Sequence, residues 1–168
     1  MAKKENDLKK ITESLIQDFL TQLGLDAEIT IGDPVNTTES GDFSYLNVTL
    51  TAENLGELIG FRGNMLDSIQ TILGLILTKT LSKEDVTEKY RIILDINDYR
   101  KQRADYLVSY ALRAVDEVLN SGQPMELSPM KPSERRIVHM ALKETKGIFT
   151  SSAGEGENRR VVISPKSK

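Results

Sequence analysis

The 168-residue sequence predicts an α+β fold divided into two small domains. Three observations predict it. Helix-type and strand-type hydrophobic periodicities alternate along the chain. Turn-forming residues cluster between them at 32–42, 120–124 and 154–158. The charge also changes sign midway: residues 1–98 carry 9 Lys and Arg against 17 Asp and Glu, net −8, whereas residues 99–168 carry 13 against 8, net +5. Phosphate attraction follows the local field and not the overall charge, so a polyanion would prefer the second half.

The composition also excludes several classes. With no cysteine, there are no disulfides, thiolate metal sites or cysteine nucleophiles. His139 is the single histidine, so a mechanism needing two has no residues to use. No run of 18 apolar residues occurs, and no apolar stretch follows the N-terminal lysines as in a secretory signal. The expectation is a cytoplasmic protein without membrane insertion, catalysis, metal or cofactor.

Taken in order, Leu8, Ile11, Leu15, Ile16, Phe19, Leu20 and Leu23 recur at spacings of three and four, which predicts an amphipathic helix over 8–23 with Gly24 as its C-terminal cap. Residues 27–31 and 43–50 alternate as strands, with 32–42 as the loop between them. Leu55–Ile59 comes next, then a long apolar helix from about Met65 to Leu81. Asn64 is read as its N-cap and Leu66, Ile69, Leu73 and Ile76 as its main inward stripe. Ile72, Leu75 and Leu77 give this helix more apolar surface than one face requires. Residues 90–96 form a third strand. Asp98 is read as the N-cap of a helix to about Leu119, with Arg100, Lys101 and Arg103 exposed at its start. A short strand at 125–127 follows, then a helix from Pro132 to about Lys143 and strands at about 148–152 and 159–163.

Two stretches carry chemistry. In Gly60-Phe61-Arg62-Gly63 the glycines allow a sharp turn into the N-terminus of the long helix, where unpaired N–H groups suit a phosphate. Taken alone, this is a weak pattern, and a plain helix corner that needs glycine only for its angles is the better reading of it. Its place between the second and third strands, with Ile59 before it and an apolar helix after it, makes residues 25–97 resemble a KH domain of the bacterial type II arrangement. In that family the loop clamps the RNA backbone. The second stretch holds Arg135 and His139, four apart and so on one face of a helix. A guanidinium beside an imidazole offers donors for phosphate oxygens. With the glycine turn and the Asn158-Arg159-Arg160-Val161-Val162-Ile163 strand that follow, residues 98–165 resemble an R-three-H domain, a family named for Arg-x-x-x-His that binds single-stranded nucleic acid.

A KH domain followed directly by an R-three-H domain is the arrangement of the Jag (KhpB) family of bacterial RNA-binding proteins, which the chain resembles over 25–165, with an extra helix at 1–24. Members commonly carry a further N-terminal Jag domain, and none is expected within these residues. The resemblance implies binding of single-stranded RNA, with single-stranded DNA as an alternative, and post-transcriptional regulation linked to cell elongation or division. The nucleic-acid contacts expected are Gly60, Phe61, Arg62, Gly63, Lys131, Arg135, His139, Arg159 and Arg160. The resemblance also implies KH–KH pairing, either as a homodimer or with a small single-KH protein. A pairing module with little RNA binding is the competing reading. An enzyme using Asp95, Asn97 and Asp98 as magnesium ligands is a third, set against the routine use of such residues at a strand end and helix cap.

Overall fold

The computed structural model describes residues 2–36, 43–84, 86 and 88–166, with side chains from residue 5 onward. Two compact units divide at Tyr99/Arg100. The first contains α1 (Ala2–Gln22), β1 (Glu28–Ile31), β2 (Val35–Asn36), β3 (Phe43–Thr51), α2 (Gly56–Ile59), α3 (Asn64–Lys83) and β4 (Lys89–Ile96). Central β3 pairs antiparallel with β1 and β2 and parallel with β4. A parallel pair needs a crossover, and α2 and α3 supply it. Alternation sends Leu46, Val48 and Leu50 of β3, and Ile92, Leu94 and Ile96 of β4, to one face. There they pack with Ile16 and Leu20 of α1 and with the inner stripe of α3. The other sheet face carries residues of the opposite parity, among them Phe43, Tyr45, Lys89 and Arg91.

Several expectations need correction. The N-terminal helix is an integral part of the first unit, because Leu8, Ile16 and Leu20 lie in its core. The segment read as loop contains β2, whose two residues pair with Tyr45 and Ser44, while 37–42 lie outside the described residues. The inner stripe of α3 is Leu66, Ile69, Leu73, Leu77 and Leu81, so Leu77 is buried and Ile76 is 43% exposed. Leu77 follows Leu66 by close to three full turns of a 3.6-residue helix and so returns to the sheet, whereas Ile76 stops about 80° short of it. Asn64 is the first helical residue, and left-handed Gly63 occupies the cap position. Asp98 is no ordinary N-cap either: Asn97 and Asp98 are both left-handed (φ 51° and 56°). The Asn97 amide donates to the Ala52 carbonyl (2.7 Å) and its carbonyl accepts from the Ala52 N–H (3.1 Å), committing it to the fold.

On α3, Ser68, Thr71, Thr78 and Ser82 each donate their hydroxyl to the carbonyl four residues earlier. Met65, Ile72, Leu75 and Ile76 are exposed beside them. Among the described residues no helix is long and apolar enough to cross a membrane.

The second unit is built on α4 (Tyr99–Ser121), whose residues from Arg100 onward belong to it, with β5 (Met125–Glu126), α5 (Pro132–Ala141), β6 (Ile148–Ala153) and β7 (Arg160–Pro165). β7 is central, antiparallel to both neighbours. Leu107, Ala111, Ala114 and Val118 of α4 meet Val138 of α5 and Val161 and Ile163 of β7 in a separate core. Leu77→Ala should cost roughly 2–5 kcal/mol of unfolding free energy, as a buried truncation does. Ile76→Ala should cost less than about 1 kcal/mol. Urea denaturation of both variants checks this phase of the helix.

Candidate nucleic-acid interface

The candidate interface of the second unit starts from how α5 begins. Pro132 occupies the first helical turn, where its missing N–H costs nothing. Three residues after Lys131 comes Glu134, the spacing at which a side chain reaches back to the cap. Its Oε2 accepts the Lys131 N–H (3.1 Å) and its Oε1 accepts Nε of Arg103 on α4 (2.7 Å). Glu134 is only 6% exposed. With both oxygens engaged, the first turn of α5 is pinned to α4, and this fixes where Arg135 and His139 emerge.

Arg135 is half-buried and donates from Nη1 to the Met130 carbonyl (2.8 Å). That one bond braces the guanidinium and leaves other N–H groups for a ligand. Met130 in turn donates its N–H to the Arg159 carbonyl (3.1 Å). Arg159 therefore sits beside the loop that holds Arg135, and its own side chain is exposed. Lys131 lies at the cap between them.

His139 lies against β6. Its Nδ1 is 2.8 Å from Oγ1 of Thr150 and its Nε2 is 2.9 Å from Oγ of Ser152. Strand alternation puts these two hydroxyls on one face, opposite Ile163 and Val161. Burial, then the nearby Arg135 charge, holds the imidazole below its ordinary range, so it is neutral at pH 7. The sequence reading gave His139 a direct bond to phosphate. In the structure both ring nitrogens already have partners, because the strand presents hydroxyls where the helix presents the ring. His139 thus braces α5 against β6.

Arg160 also departs from expectation. It pairs with Ala153, two residues before the position facing Glu126, and so shares the opposite sheet face with Glu126. Its Nη1 donates to the Glu126 carboxylate at 3.0 Å and its Nε donates to the Asn158 carbonyl. The structure brings Lys131, Arg135 and Arg159 together around the N-terminal end of α5, places His139 in the last turn of α5 against β6, and turns Arg160 away. Sequence reasoning missed Glu134, Thr150 and Ser152. The cap spacing and the strand parity were the signals available for them.

The first unit holds the glycine turn. Gly60 (φ 66°) and Gly63 (φ 74°) bracket Arg62, which is itself left-handed (φ 53°). A Cβ on Gly60 would lie 2.6 Å from Cβ of Met65, and one on Gly63 would lie 2.8 Å from the Tyr99 ring. Only glycine fits either position. The turn leaves Phe61 73% exposed, with the Arg62 guanidinium 4.7 Å from the ring centroid. An exposed aromatic under a cation, ahead of a helix N-terminus, is suited to a base and its phosphate.

These features define a two-module protein: a KH domain carrying a glycine clamp, then an R-three-H domain. Family comparison assigns residues 13–92 to the KhpA/KhpB KH domain and residues 105–165 to the R-three-H domain. Similar proteins include "RNA-binding protein KhpB" of Clostridium symbiosum, 35% identical over 89% of this chain and 64% of that protein. The protein of the same name from Bacillus subtilis is 36% identical over 70% of this chain and 55% of its own length. That of Streptococcus pneumoniae serotype 2 is 28% identical over 93% and 47%. The chain belongs to the KhpB family, and it spans between about half and two thirds of the length of these relatives.

The His139 environment has a pH signature. The unfolded chain takes up a proton near pH 6.5 and the folded one only below that. Stability should therefore be intact above about pH 6.5 and should fall as pH drops from there toward the lowered folded value. Thermal melts between pH 7.5 and 5 should show this decline in the native protein and a smaller one in His139→Gln.

Proposed function

We propose that this chain binds single-stranded RNA without catalysis, metal or cofactor, mainly through the end of α5 and β7 in the second unit, with the glycine turn of the first assisting. One observation carries the reading: a braced Arg135 with N–H groups to spare, in a basic half-chain, with Arg159 beside its supporting loop. Lys131 stands at the rim. His139 acts as a positioning residue that keeps α5 against β6, so that Arg135 is held at a fixed height. The matching relatives are named RNA-binding proteins, and this supports the same ligand class here. Single-stranded DNA shares the phosphate chemistry and is the natural competitor in a binding test. The family resemblance extends the proposal to post-transcriptional regulation tied to bacterial cell elongation or division, acting in the cytoplasm.

Fluorescence anisotropy with a labelled single-stranded RNA across a salt series tests the reading. Arg135→Ala should weaken binding about tenfold and flatten the log–log salt slope by roughly 0.7, one phosphate contact on a single strand. Arg160→Ala, already paired with Glu126, should change affinity less than about twofold. Unchanged affinity and slope in Arg135→Ala would sink the site assignment.

A second reading rests on a different surface and is compatible with the first. Met65, Ile72, Leu75 and Ile76 form an exposed apolar flank on α3, and Ile76 continues into a groove of about 640 Å³ lined by Ile11, Leu15 and Phe19 of α1. Such a face suits a second KH domain, either another copy of this chain or a small single-KH protein. Leu75→Glu, at the most exposed position of that flank, should shift the protein to monomer in concentration-dependent light scattering. A species of the same mass in both proteins at every concentration would remove homodimerisation through this face.

A further inference from the structure

The face of the first unit's sheet turned away from its helices presents an arrangement that the proposed RNA contacts do not use. Phe43 of β3 lies opposite Lys89 of β4, and Tyr45 lies opposite Arg91. All four side chains leave on this outer face, because the opposite parity carries the buried Leu46, Val48, Ile92 and Leu94. The Arg91 guanidinium sits over the Phe43 ring at 4.0 Å from its centroid, and the Lys89 ammonium lies 5.6 Å from the same ring. Val35, opposite Tyr45, is 48% exposed beside them.

The charges make this patch unusual for its surroundings. The half-chain is net acidic, and other cations of the molecule, such as Lys9, Arg103 and Arg160, are held on carboxylates. Among the described residues, Lys89 and Arg91 have no acidic partner, and aromatic carbon holds them instead. A guanidinium held over a ring can also stack against a base while donating to a phosphate. Phe43 and Tyr45 are two residues apart on one strand and are therefore spaced by about 7 Å. That spacing gives successive bases of an extended strand separate stacking partners. Sheet-borne aromatics flanked by cations are a recurring way of holding unstacked bases.

We propose that the outer sheet face around Phe43, Tyr45, Lys89 and Arg91 is a second binding surface for single-stranded RNA, built from residues other than those of the glycine turn and Arg135. Bases stack on Tyr45 and on the Phe43–Arg91 pair, and Lys89 meets the backbone. The surface goes beyond the reading above and does not depend on it.

Two measurements on the full chain test it. In the first, labelled single-stranded uridine oligomers are titrated by anisotropy against Tyr45→Leu, Arg91→Gln, Tyr45→Phe and Arg135→Ala. Tyr45→Leu and Arg91→Gln should each weaken binding about tenfold, while Tyr45→Phe, which keeps the ring, should stay within about twofold of the native protein. Affinity unchanged in Tyr45→Leu and Arg91→Gln but lost in Arg135→Ala overturns this proposal and leaves the earlier reading standing. The converse pattern supports this one and removes the earlier. In the second, ultraviolet crosslinking of the same oligomer to the unmodified protein, with crosslinked peptides mapped by mass spectrometry, needs no variant to fold. Adducts on Phe43 or Tyr45 support the surface. Adducts confined to 60–63 and 131–160 refute it, as does a change in oligomeric mass without a change in RNA affinity, which would mark the face as a protein contact.

Discussion

Burying a carboxylate removes hydration that a single hydrogen bond does not replace, so an ion as enclosed as Glu134 must be compensated on both oxygens. Here the Arg103 side chain and the Lys131 backbone do this, one from α4 and one from the first turn of α5 itself. The pairing thereby sets both the start of α5 and its rotation about its own axis. Rotation matters because the two motif residues are useful only in one orientation: Arg135 over the Met130 carbonyl and His139 over the β6 hydroxyls. A helix turned by one residue would direct an arginine into the core and Val138 into water. The placement of the charged groups of the second unit thus rests on a pair enclosed within the fold.

The first unit solves a related problem by different means. Its glycine turn must reverse the chain between α2 and α3 in so little space that Met65 and Tyr99 occupy the volume where side chains at 60 and 63 would begin. Packing on the two glycines sets the turn, and of the residues between them Phe61 faces outward while Arg62 is half-buried. Holding the turn by packing on the flanking backbone leaves the exposed position 61 open to substitution without loss of the turn.

Local features of this molecule were the easiest to read from sequence. The alternation in 43–50 and 90–96, the glycines of the turn, Pro132 at the start of α5 and the four-residue step from Arg135 to His139 are all properties of short windows. The contacts that redefine individual residues join distant segments. Arg160 finds Glu126 across 34 positions, and His139 finds Thr150 and Ser152 on a strand whose register only the folded sheet sets. Phe43 meets Arg91 because β3 and β4 run parallel across a crossover, a pairing that no local pattern specifies. The exchange of Ile76 for Leu77 is different again. There the periodicity was visible, but steps of three and four both fit its last turn until the sheet beneath chose one.

The back-bonded hydroxyls along α3 have a consequence for how that helix meets anything else. A serine or threonine whose proton is already given to its own backbone behaves toward a neighbour almost as a small hydrocarbon, offering bulk but little directional demand. The outward flank of α3 is then smooth in the chemical sense. The exposed Lys79 and Lys83 interrupt it, seven residues on from Ile72 and Ile76 and so on the same side of the helix. Contour and those two charges, rather than a pattern of donors and acceptors, are what such a flank presents to anything that meets it.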